Sequence, residues 1–311
     1  MRFETNVPGK TRGALSGEKV MPAVARKSAV EKVIQEIEHL PTLPQVVMRV
    51  LAMAESPRMS AIELAKAMDQ SLAAKVLKLA NSAFYGVRSS RNINSIHHAI
   101  VLVGFEAVKE IILTTSFFHT FHDSRDVQTL QPLWEHSLEC ALISKRLAWM
   151  YRYDSLDEAY LSGLTHDIGR LVIQQYFPDQ YWEIEKKKDQ GMEMPAAEKE
   201  VLSITHAEIG GKVAERWAFP PNLADAITHH HDREWKINPT LGKILFYADQ
   251  FTFGLIDFAH LTQSFTQEGM SYPASWDSSD LSSVETILQE EMGKAKSLFN
   301  LTTDKATQAP T

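Results

Sequence analysis

In the stretch Tyr160–Leu171, YLSGLTHDIGRL, His166 and Asp167 stand side by side within an apolar helical pattern carried by Leu161, Leu164, Ile168 and Leu171. A charged side chain is costly to bury unless something pairs with it. Adjacent imidazole and carboxylate groups on a buried helix are therefore either a private hydrogen-bonded pair or two ligands of one metal ion. The dipeptide alone is compatible with both. More ligands on core-facing positions would favour the metal, and the chain has them.

His136 lies on the stripe Leu133, His136, Cys140, Ile143 and Leu147, which advances in helical steps of three and four. His206 opens a helix whose apolar side is Ile209, Val213 and Trp217, and Asp249 follows Leu245 by one helical turn. In the triple His229-His230-His231 only two rings can point inward, and the phase of Leu223 and Ile227 selects His230 and His231. Taken singly, each of these is more often a satisfied core residue than a ligand. Six of the twelve histidines, however, fall between 136 and 231, and so many inward polar groups need a common partner. A metal pair supplies one, with iron, manganese, zinc or nickel suited to imidazole and carboxylate donors and one carboxylate able to bridge two ions. The lack of thiolate spacing disfavours a structural zinc site. Cys140 reads as core filler. Glu139 and Glu208 are placed to orient an imidazole from behind.

The remaining pattern is helix after helix, and no stretch alternates convincingly at period two, so the fold class is all-α. Residues 1–28 have no period and read as a disordered arm. Residues 29–125 form an N-terminal helical unit, 126–299 a helical unit bearing the candidate ligands, and 300–311 a polar tail. Ser60–Glu63, Ser155–Glu158 and Thr205–Glu208 are capping boxes, Gly104 interrupts an apolar helix, and the helix holding the His-Asp pair closes at Pro178. Lys186–Lys188 reads as a solvated helix face. Ser283–Phe299 is the last strong helix. A net charge of −7 argues against a broad nucleic-acid footprint. One cysteine fits a reducing compartment, and the longest apolar run, Ala99–Phe105, is too short to cross a bilayer. The expected location is cytoplasmic, with neither nucleic acid nor membrane as partner.

The order His136, His166-Asp167, His206, His230-His231, Asp249 resembles the metal-dependent HD phosphohydrolase superfamily, and HDIGRL and HAEIGG resemble its HD-GYP branch. LPTLPQVV, MDQSLAAKVLKLANSAFYG and INSIHHAIVLVGFEAVKEIIL resemble the HDOD family of bacterial signal-output domains, related to HD-GYP; the likeness runs from about Val30 to about Gly254. It implies an HDOD helical fold, with the N-terminal subdomain packed on an HD-type bundle. His136, His166, Asp167 and Asp249 would hold a first metal, and His206, His230 and His231 a second, as divalent or mixed-valent transition-metal ions with iron placed first. Arg170 stands where the family has a phosphate-contacting lysine, and metal-bound water would be the nucleophile. The chain departs from HD-GYP in reading HHHDREWKINP, without Gly-Tyr-Pro, which speaks against cyclic di-GMP as substrate.

The implied function is signal transduction, with a di-metal site acting on a phosphoester or nucleotide and a signalling protein or small phosphorylated ligand as partner. Two other classes compete. One is a non-catalytic interaction scaffold with a structural or sensory metal, and the other is a di-iron oxygenase of the HD type.

Overall fold

Proline and capping side chains set most helix starts, and glycine sets the sharpest break. Among the described residues all regular structure is helical and there is no strand. The computed structural model describes residues 32, 33, 35–37, 40, 46–50, 66, 68, 70–81, 93–120 and 127–303. The helices from residue 70 are α1 (Gln70–Ala80), α2 (Ile96–Val103), α3 (Phe105–Thr120), α4 (Val127–Met150), α5 (Leu156–Thr165), α6 (Ile168–Tyr176) and α7 (Pro178–Asp189). They continue as α8 (Met194–Leu202), α9 (His206–Arg216), α10 (Pro221–Thr228), α11 (Pro239–Thr252), α12 (Phe258–Gln267) and α13 (Ser278–Thr303). The arm at 1–28, the Ser60–Glu63 box, the Pro41–Pro44 break and the NSAFYG block beyond Asn81 lie outside the described residues, as does most of the tail.

Proline occupies the first turn of α7, α8, α10 and α11, where its missing N–H leaves no intrahelical bond unmade. Ser95 caps α2 by accepting from the His98 backbone N–H at 3.1 Å. Gly104, at φ +93°, then turns the chain from α2 into α3 as expected, in a region that other residues avoid. Thr205 and Glu208 form the full reciprocal box at the start of α9. The box expected at Ser155 is only half made. Ser155 accepts from the Glu158 N–H, but the Glu158 carboxylate is taken by the Tyr153 hydroxyl and the Asn222 amide.

The sequence predicts one helix through the His-Asp pair and on to Pro178, whereas the structure breaks it at the pair itself. His166 caps the end of α5, and Asp167 (φ −91°, ψ 12°) precedes the first residue of α6. Packing on two different neighbours accounts for the break. Gly163 lets α5 lie against the α4 backbone, where an added Cβ would stand 2.5 Å from the Cys140 carbonyl oxygen. Gly169 lets α6 lie against the start of α9, where a Cβ would meet the His206 carbonyl oxygen at 1.9 Å. With the chain broken between the two glycines, each segment takes its own partner.

One apolar core runs from Val33, Val46 and Leu79 through Ile111, Phe117 and Trp134 to Ile168, Val213 and Ile227. It therefore continues across the boundary expected near residue 125. A second core gathers Ile143 and Leu147 of α4 with Leu245 and Phe251 of α11, Phe265 of α12 and Leu288 of α13. α13 begins at Ser278 and ends at Thr303, longer at both ends than the sequence pattern indicates. None of the helices among the described residues is long and apolar enough to cross a membrane.

The two halves are also joined by a buried ion pair. Lys109 Nζ of α3 lies 2.5 Å from Asp157 Oδ2 of α5, and their side chains are only 7% and 8% exposed. Asp157→Ala would leave Lys109 with the exposed Glu106 alone. The expected cost is about 2–3 kcal/mol of unfolding free energy, since removing one partner strands a buried charge. Urea denaturation checks it, and a change under about 0.5 kcal/mol would refute it because only surface pairs are so weak.

Candidate metal centre

The seven expected ligands reach the same place from five parts of the chain. His136 comes from α4, His166 and Asp167 from the α5–α6 junction, His206 from the first residue of α9, and Asp249 from α11. His230 and His231 follow the end of α10. Of the histidine triple, the structure brings His230 and His231 beside the other candidates. His230 is fully buried beside His166 and His206, with ring centroids 5.1 and 5.3 Å away. His231 Nε2 lies 2.9 Å from His206 Nε2. His229 turns away and bonds Asp232 at 3.0 Å.

The donor atoms fall into two sets that share Asp167. In the first, His136 Nε2 lies 3.0 Å from Asp249 Oδ1 and 3.2 Å from His166 Nε2, and both rings are within 3.9 Å of Asp167 Oδ2. In the second, Asp167 Oδ1 faces His206 Nε2 at 3.2 Å and His230 Nε2 at 3.9 Å, with His231 beside them. One carboxylate thus presents one oxygen to each set.

The proton positions follow from the partners of Nδ1. His166 Nδ1 lies 2.8 Å from the Gly163 carbonyl and His230 Nδ1 lies 2.6 Å from the Ile227 carbonyl. A carbonyl only accepts, so each Nδ1 carries a hydrogen and each Nε2 is turned into the cluster. Although Asp249 Oδ1 is close to two imidazoles, no ring N–H points at it in hydrogen-bonding geometry. Both Asp249 oxygens and His230 Nε2 are buried without a hydrogen-bond partner. Inward ring nitrogens and unpartnered carboxylate oxygens at this density suit cations.

Without a metal, protons take that role. Burial opposes charge on His166, but the adjacent Asp167 carboxylate overrides it and holds the ring's pKa well above the ordinary value. At His206 burial is likewise overridden, here by Glu198 and Asp167, which push the ring up to about 9. Burial and the neighbouring charged rings drive His230 down and His231 down to about 4. A cluster whose rings are forced to opposite protonation states fits replacement of its protons by metal ions.

Cys140 lies behind the first set. It is fully buried, burial pushes its thiol up, and its sulfur lies within 4.8 Å of the His166 and Asp249 donor atoms. Glu208 does not reach a site imidazole: its carboxylate closes the cap on Thr205 and pairs with Lys199. Glu139 is half-buried one turn from His136. The carboxylate behind His206 is instead Glu198 of α8, unnoticed in the sequence, with oxygens 2.8 and 2.7 Å from Nδ1. Its signal was the phase it shares with Val201 and Leu202, one turn on. Thr252, 3.4 Å from His136 Nδ1, and Phe253, tilted over the His136 ring with centroids 4.2 Å apart, were missed as well.

A cavity of about 810 Å³ opens onto Asp167, His206, His231 and Asp249. Arg170 and Lys188 supply its basic lining, and Met192, Met194, Phe253 and Leu255 its apolar lining. Arg170 bonds Asp167 Oδ2 at 2.9 Å. Lys188, read as part of a solvated face, borders this cavity while paired with Glu185.

The profile of the HDOD domain family matches residues 40–233, more than half of the chain. The chain belongs to the HDOD family. An uncharacterized protein of Treponema pallidum is 24% identical over 204 residues, covering 64% of this HDOD chain and 39% of the relative, so the match spans about two fifths of that relative's length. The crystal structure of an HDOD domain protein of unknown function from Geobacter sulfurreducens superposes with a TM-score of 0.73 at 22% identity, covering 90% of this chain and 98% of that one. A candidate phosphohydrolase from Shewanella amazonensis gives 0.70 at 22% identity, covering 87% and 98%. At these identities the structural likenesses establish the all-α HDOD fold.

Proposed function

We propose that this HDOD protein carries a di-metal centre that hydrolyses a phosphoester bond in a small phosphorylated ligand, as part of a signalling role. The observation that carries this reading is Asp167, whose two oxygens face two separate donor sets at the wall of a cavity that also holds Arg170 and Lys188. His136, His166, Asp249 and one Asp167 oxygen would hold one ion, and His206, His230, His231 and the other oxygen the second. Iron, manganese, zinc and nickel all suit such donors, with iron placed first. When bound, such ions supply Lewis acidity toward phosphate oxygen and lower the pKa of water.

The chain's own groups provide the rest. Arg170 is anchored through one nitrogen to Asp167, and its planar fork can neutralise a phosphate oxygen with the donors that remain. Lys188 adds positive charge from α7. Asp167 is only 4% exposed, and so little water around it strengthens its pairing with Arg170. Residues 232–235 replace the Gly-Tyr-Pro loop of the cyclic di-GMP enzymes, so we place the substrate outside that class. The expected result is about two equivalents of transition metal in protein purified without chelator or histidine tag. Turnover of at least one phosphoester should depend on them. Folded wild type without metal, by elemental analysis, would sink the proposal.

A second reading, a non-catalytic scaffold stiffened by the ions, is favoured by the depth of the donors, since Asp167 and Asp249 are 4% and 1% exposed. Chelation that alters binding of a signalling partner, with no phosphoester turned over by the metal-loaded protein, would select it.

A further inference from the structure

His206 is held differently from the other buried imidazoles. His166 and His230 each face a peptide carbonyl with Nδ1. His206 Nδ1 instead lies 2.8 and 2.7 Å from the two oxygens of Glu198, and Glu198 Oε2 also accepts the His206 backbone N–H at 2.8 Å. Glu198 is 1% exposed, set among Ala197, Val201 and Leu202. A carboxylate so deeply buried is costly unless its charge is used. Both of its oxygens are directed at one residue, and that residue opens a helix, where the free N–H groups favour negative charge.

We infer that Glu198 is a positioning residue for the second ion: its carboxylate fixes the Nδ1–H tautomer of His206, aims Nε2 at Asp167 Oδ1, and strengthens this imidazole as a donor. The inference rests on the di-metal reading above. It makes the two sets unequal. The first set has Asp249 as a carboxylate of its own. The second has three imidazoles and draws its extra negative charge only from Glu198, through the His206 ring. The effect of Glu198 is therefore confined to one ion, because no oxygen of Glu198 reaches the first set through a hydrogen bond.

The test is Glu198→Gln, which keeps the shape and one carbonyl acceptor while removing the charge. Metal-free wild type and variant are titrated with Zn²⁺ against a competing chelator, and the two binding steps are resolved. The expected result is a loss of about 10–100-fold in affinity at one step, the range seen when a carboxylate behind a ligating histidine is removed, with the other step unchanged. Equal affinities in wild type and variant, or an equal loss at both steps, would overturn the inference. Wild type that takes up no zinc would overturn the di-metal reading with it, a result distinct from two intact steps in both proteins.

The wild type also supplies a check that needs no variant, should Glu198→Gln fail to fold. In zinc-loaded protein the Nδ1 proton of His206, donated to a carboxylate, should resonate farther downfield than those of His166 and His230, donated to carbonyls. Three equivalent shifts would overturn the inference.

Discussion

Asp167→Asn is expected to remove both ions and to lower phosphoester hydrolysis by about 10²–10³-fold or more, at least the size of effect produced by deleting a single charge-stabilising group. The substitution keeps the volume of the side chain but replaces one acceptor oxygen with an N–H donor and removes the charge shared by the two sets. It also withdraws the carboxylate that anchors Arg170 at 2.9 Å, so phosphate would lose a positioned guanidinium in the same step. Elemental analysis, circular dichroism and a turnover assay together check it. Two retained ions with hydrolysis within about 10-fold of wild type would show that Asp167 does not hold the centre together, since bridging ligands are not so easily replaced.

Gly169→Ala is expected to be strongly damaging, although residue 169 carries no chemistry. Its Cβ would stand 1.9 Å from the His206 carbonyl oxygen, 2.7 Å from the carbonyl carbon and 2.9 Å from the Cα, all backbone atoms. Backbone cannot swing aside as a side chain can, so α6 and α9 must separate. Overpacking of this kind costs about 3 kcal/mol or more, against a gain of about 1 kcal/mol from replacing glycine within a helix. Thermal unfolding should shift down by roughly 5 °C or more for a chain of this size, and metal uptake by the His206 set should fall with it. Gly210→Ala gives the contrast. There the nearest atom, at 3.0 Å, is Cγ2 of the Ile227 side chain, and its stability should stay within about 1 kcal/mol of wild type. If the two variants behaved alike, the close approach of α6 and α9 would not be what the glycine is for.

The clustering of the candidate donors was legible because helical phase is a strong signal over several turns. The stripe through His136, the Leu245–Asp249 step and the choice of His230 and His231 over His229 each follow from where apolar neighbours fall. Glu198 was not legible for a related reason. It sits in AAEKEVL among exposed charges, and the strong capping signal at Thr205–Glu208 drew the role of imidazole partner to Glu208, which is occupied in closing its cap. The break at the His-Asp pair carries no proline and no strained residue at the junction itself, and both residue types are compatible with a continuous helix. What breaks it is packing on α4 and on α9, information that lies far away in the chain. Helical phase likewise does not report that Phe117 and Trp134, on either side of residue 125, share one core.

The helix α9 has a consequence for how events at the site could be heard elsewhere. His206 is its first residue, and Trp217 follows its last. Eleven residues of α-helix make a stiff rod about 16 Å long. Trp217 meets Phe117 edge-on at 6.5 Å, and Phe117 meets Trp134 edge-on at 5.3 Å. One end of the lever is thus tied to a candidate donor atom, while the other is wedged into aromatic rings from the N-terminal half and from α4. In an interior packed as tightly as a crystal, a tilt at the donor end is expected to shift the indole against the phenyl ring. Trp217 emission that changes on metal uptake would make that ring an optical gauge of what the imidazoles hold.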